Sequence, residues 1–127
     1  MVTQSPVRNF ERLFSSHPDH LAVGEATLSA VYPDARNEFA FPELMAEGLA
    51  PWTVREVWIS GRPDAAEVVD VTDQVGRKVR ALLQHESQHP DPVRMEERVR
   101  GWMAQTAERF GLPEGRLAEA FTVATIA

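Results

Sequence analysis

Apolar positions change their spacing several times along the chain, and each change marks an element. The first sixteen or so residues mix polar and apolar side chains; Val2, Val7, Phe10, Leu13 and Phe14 fit a short strand and the loop after it. Ser16-His17-Pro18-Asp19 then opens a helix, because proline suits the first helical position and an acidic neighbour suits the positive end of the helix dipole. Leu21, Leu28 and Val31, with Ala22 and the small Gly24, give one apolar face that stops at Tyr32-Pro33. Positions 33–53 hold Pro33, Pro42 and Pro51 and no clean period, which predicts a long loop with one helical turn at Glu43–Glu47. Val54–Ile59 is the best strand, rich in β-branched and aromatic residues and closed by Ser60-Gly61; Val68–Val71 is a shorter one. Thr72 or Asp73 is expected to cap a helix with apolar positions Val75, Val79, Leu82 and Leu83, ending near Gln88. Asp91-Pro92 opens the last helix, with a stripe of Val99, Trp102, Met103, Thr106 and Phe110, and Gly111 ends it. Leu117–Ile126 is apolar and partly β-branched, as in a final strand or docked segment. Strands alternating with helices predict an α/β fold. Only two or three short strands are visible, which is thin for a parallel sheet covered on both faces.

Composition narrows the chemistry. The 127 residues suffice for one ordinary domain, and 43% apolar with 25% charged residues is a globular composition. Thirteen Lys and Arg against 19 Asp and Glu leave a net charge of −6, which argues against binding nucleic acid or an anionic membrane through bulk charge. The absence of cysteine excludes disulfides, thiolate zinc sites and cysteine nucleophiles, so any metal must be held by His, Asp or Glu. No signal-peptide core or membrane-length apolar run is present, and the expected setting is soluble and cytoplasmic. A phosphate-binding glycine loop and a G-x-S-x-G elbow are both missing.

The sharpest local feature is His17-Pro18-Asp19-His20. Two imidazoles three residues apart at a helix start lie on adjoining faces of one turn, where zinc ligation or stabilisation of developing negative charge is chemically available. A plain polar turn at a helix start is the alternative from spacing alone, since a catalytic zinc takes three protein ligands. His85 and His89 form a second pair at i, i+4, equally readable as solvated side chains at a helix C-terminus. Trp58 and Trp102 read as core, and Arg94–Arg100 as a solvated helix face.

The run from His17 to Ala26 (HPDHLAVGEA) closely resembles the second signature of the LmbE-like, or PIG-L type, zinc deacetylases, relatives of N-acetylglucosaminyl deacetylases. The resemblance continues through Val31–Asn37, Phe41–Leu44, Glu47–Leu49 and Val54–Val57, then Val69–Asp73, Lys78, His85–Gln88 and Ala118–Phe121. It implies a Rossmann-like three-layer α/β hydrolase, here the C-terminal portion over residues 1–127, that removes an acetyl group from an N-acetylated sugar or sugar conjugate. By position His20 resembles the family's histidine ligand to Zn2+, and His17 the histidine that stabilises the oxyanion and transfers a proton. Asp19 resembles its charge partner, and Arg36 is a candidate substrate anchor.

The family's first signature, an AHPDDE-like stretch carrying the other ligands and the general base, has no counterpart; His89-Pro90-Asp91-Pro92 has proline where the second acid belongs. The expected zinc site is therefore incomplete in this truncated form, and the chain alone is expected to be nearly inactive. The second reading is a non-catalytic remnant acting as a binding or assembly module. A part-domain leaves a sheet edge and an apolar face uncovered, so a homo-oligomer is expected.

Overall fold

The computed structural model describes residues 1–126. Its elements run β1 (Val2–Gln4), α1 (Pro18–Val31), α2 (Pro42–Ala46), β2 (Glu56–Ser60), β3 (Glu67–Asp70), α3 (Val75–Leu82), α4 (Pro92–Arg109) and β4 (Ala118–Thr125). The strands take the sheet order β1-β2-β4-β3, so the fold is mixed α/β. The described residues divide into two compact units, residues 1–67 with 121–126, and residues 68–120.

In the first unit α1 connects two parallel strands, with Val2, Thr3 and Gln4 opposite Trp58, Ile59 and Ser60. Residues 121–125 of β4 lie antiparallel to β2, pairing Phe121 with Ser60 and Thr125 with Glu56. The helix buries Gly24 and Val31, with Thr27 and Leu28 half-buried between them, the i, i+3, i+4, i+7 seam of an amphipathic helix. Ala22, expected on that face, is exposed because it lies about 200° around the helix from Gly24. Val31, Val57 and Ile59 form the core, packed by Leu28, Val54 and Ile126.

Gly24 sets how closely α1 approaches β1. A Cβ there would stand 2.5 Å from the Gln4 carbonyl oxygen and 2.7 Å from the Pro6 nitrogen, both backbone atoms. The Thr3 hydroxyl donates to the Thr27 hydroxyl at 3.1 Å, and Thr27 donates to the Val23 carbonyl, which ties the strand to the helix.

In the second unit Val75, Val79, Met95, Val99 and Met103 form a core between α3 and α4. Asp91 caps α4 through the Arg94 amide, and Gly111 (φ 71°) closes it in a Schellman arrangement, with Gly111 N–H donating to Glu108 and Leu112 N–H to Ala107. Three expectations are corrected here. Neither Thr72 nor Asp73 caps α3: Thr72 lies in a tight turn, Thr72–Gln74, whose amide and hydroxyl donate to Asp70. The helix ends at Leu82 and not near Gln88, so His85 and His89 flank a separate turn and do not share a helical face. Trp102 is 37% exposed; the buried stripe is Met95, Val99, Met103 and Ala107, the i, i+4, i+8, i+12 row of one helix side. Among the described residues no helix is long and apolar enough to cross a membrane.

Candidate active site

The first unit builds its candidate site from the β1–α1 connection. Residues 5–16 leave the carboxyl end of β1 and return to the start of α1, the edge at which open α/β sheets bind ligands. That connection is pinned by short polar side chains. Buried Ser16 accepts the Asn9 amide N–H at 2.8 Å, and the Asn9 carboxamide oxygen accepts from the amides of Glu11 and Arg12. Ser16 immediately precedes His17, so this network fixes the backbone from which the first imidazole projects. These positioning residues were not picked out from the sequence; an Asn seven residues before a Ser-His-Pro helix start is the only local signal they leave.

His17 is the N-cap of α1. Its Nδ1 accepts the Asp19 backbone N–H at 3.2 Å, the capping role usually taken by Ser, Thr, Asp or Asn. An accepting Nδ1 carries no proton, so the proton of the neutral ring sits on Nε2, the atom left free to face a ligand. The Asp19 carboxylate oxygen is 3.7 Å from Nδ1, a charge neighbour and not a hydrogen-bond partner. His20 follows one turn later, its ring centroid 5.8 Å from that of His17. The side chains of His17 and Asp19 are 61% and 84% exposed, and His20 is exposed. Two imidazoles and a carboxylate thus stand open at the positive end of one helix.

Arg36 stands elsewhere. It closes the turn Asp34–Arg36 beyond the far end of α1, and its guanidinium lies 5.7 Å over the Tyr32 ring. The intervening 14-residue helix is about 20 Å long, so Arg36 is not part of the histidine cluster. A zinc ion is not accommodated by the cluster as it stands: among the described residues no three His, Asp or Glu side chains converge on one point, and tetrahedral catalytic zinc needs three protein ligands.

No family model and no curated protein matches the sequence. Among solved structures, the chain superposes with a TM-score of 0.77 on an N,N'-diacetylchitobiose deacetylase from Pyrococcus horikoshii, solved with its inhibitor MPG. That enzyme is of the LmbE/PIG-L type, the type that the HPDH run resembles. The superposition covers 98% of this chain at 24% identity, and 45% of the deacetylase chain. The likeness establishes the fold: this chain has the architecture of slightly less than half of that deacetylase.

Proposed function

We propose that this chain carries part of the active site of an N-deacetylase acting on an N-acetylated sugar or sugar conjugate, with His17, Asp19 and His20 as its contribution. The observation that carries this reading is the exposed imidazole pair on the first turn of α1, at the ligand-binding edge of a deacetylase fold. Amide hydrolysis requires water to add to the carbonyl carbon, the oxygen to take up negative charge, and the departing nitrogen to gain a proton. His17 suits the last two tasks. Its Nε2–H can donate to the oxyanion while Nδ1 stays engaged with the Asp19 amide, and the helix N-terminus favours charge of the same sign. The proton given up by the attacking water must first reach the ring and make it an imidazolium, with Nδ1 protonated and released from the Asp19 amide; as the C–N bond breaks, Nε2 then passes its proton to the amine and leaves the ring neutral. Asp19, 3.7 Å from Nδ1, supports the charged form of the ring through space, and His20 offers one imidazole, a single donor of the three protein ligands that catalytic zinc takes.

A second reading, a non-catalytic module that binds acetylated sugars without cleaving them, is favoured by that unfinished ligand set. Three measurements on the full chain separate the possibilities. Zinc is expected to bind weakly and to be lost in His20→Ala; tight binding indifferent to that substitution removes His20 as a ligand. N,N'-diacetylchitobiose is expected to shift the His17 and His20 imidazole resonances, and unchanged spectra at saturation remove the substrate class. Binding without acetate release at any zinc concentration assigns the chain to the binding-module reading.

A further inference from the structure

At the far end of α1 the chain forms an open cavity that the deacetylase reading does not use. After Val31 it turns through Pro33–Arg36 and α2 and comes back to Trp52, whose amide N–H donates to the Ala35 carbonyl at 2.7 Å and closes the segment on itself. Within lies a cavity of about 310 Å³ walled by Phe41, Leu44, Met45 and Trp52, with Asp34 and Glu38 also lining it. This volume falls at the small end of ligand pockets, and the lining has their usual character, an apolar wall with a few polar groups. Trp52 is 73% exposed and Phe41 46%, so two aromatic rings stand available to an occupant.

We propose that this cavity binds an organic cation with a compact apolar body, of the aryl- or alkylammonium class. Three features set the sign of the charge. Two acidic residues, Asp34 and Glu38, line the cavity, and no Lys or Arg is among the described lining residues. The last carbonyls of α1, the negative end of its dipole, lie just before Asp34. The faces of Phe41 and Trp52 attract cations through their ring quadrupoles. An anion is repelled by all three, and a neutral apolar molecule gains only the contact with the wall. The site lies about 20 Å of helix from His17, so its ligand is separate from any amide held at the imidazole pair.

Titration of the full chain with phenethylammonium and with 2-phenylethanol, its neutral counterpart of nearly equal shape, tests the assignment by nitrogen–proton NMR. The ammonium compound is expected to shift the Trp52 indole and to bind at least about tenfold more tightly than the alcohol. The exchange D34N/E38Q, nearly isosteric, is expected to abolish that preference while leaving the spectrum folded. W52A is expected to weaken both compounds, and H20A neither, which keeps this result independent of the deacetylase reading. Equal affinity for the two compounds overturns the proposal. So does a preference that survives D34N/E38Q, shifts confined to Trp58 or Trp102, or no saturable binding up to about 10 mM.

Discussion

Asp64 and His17 are both exposed groups whose chemistry is set by the atoms that hold them. Asp64 accepts from Arg62 Nε and Nη2 at 2.7 and 2.6 Å and from the Thr122 hydroxyl at 3.1 Å, and the Arg62 hydrogen bonds lead in lowering its carboxyl from 3.8 to about 2. A carboxyl depressed in the folded state stabilises that state above its unfolded value, near 3.8, and this contribution is lost as pH falls through about 2. NMR titration of the Asp64 carboxyl is therefore expected to show a midpoint near 2, moving toward 3.8 in Arg62→Ala; an ordinary midpoint in the unaltered chain would rule the arrangement out. His17 shows the same dependence on partners. As a residue type it is an ambiguous imidazole, and only the Asp19 amide at Nδ1 specifies which nitrogen faces outward. The residues of the HPDH run were legible in the sequence, whereas this choice of atom needed the backbone geometry of the cap.

At the scale of elements, α1 is positioned by an absence of side chain. Gly24→Ala gains about 1 kcal/mol of helix propensity, but its methyl meets the backbone of Gln4, Ser5 and Pro6, which cannot swing aside. Overpacking costs about 1–3 kcal/mol, so the net effect is expected to be destabilising. Urea unfolding checks the sign, and an unchanged or raised midpoint would show that α1 does not sit this close to β1. The last helix gives a sharper contrast between pattern and packing. An apolar stripe through Val99, Trp102, Met103 and Thr106 fits a helical period, yet the helix turns Trp102 outward and buries Met95 and Ala107. Arg98 lies 5.3 Å over the Trp102 ring and shields it in part. Met103→Ala is expected to cost about 2–5 kcal/mol and Trp102→Ala clearly less; the reverse order in thermal or urea melts would restore the sequence-derived stripe.

For the whole molecule, the surface is the informative part. Phe10, Phe14, Phe39 and Trp52 are each more than two-thirds exposed, and β1 lies at one edge of the sheet, paired with β2. Exposed aromatics and an open strand edge each favour association. Sedimentation is accordingly expected to show a dimer or larger species that dissociates on dilution, and a purely monomeric profile across concentrations would remove the homo-oligomer reading. The chain spans 45% of the deacetylase it resembles in three dimensions, and the fact that no three His, Asp or Glu side chains converge among the described residues belongs to the same scale: one imidazole is local, whereas a metal site gathers ligands from segments distant in sequence.

By itself the sequence determined the α/β class, the starts of α1 and α4 and the end of α4, and the imidazole pair on the first turn of α1. Proline, caps and glycine act within one turn, so their effects are local and can be read locally. Only the tertiary structure decided that β4 runs antiparallel to β2, that α3 stops at Leu82, that Arg36 lies a helix length from His17, and that Trp52 lines one cavity with Asp34 and Glu38. Those outcomes depend on contacts between residues far apart in the chain, and no period or dipeptide encodes which distant partner a strand or side chain will meet.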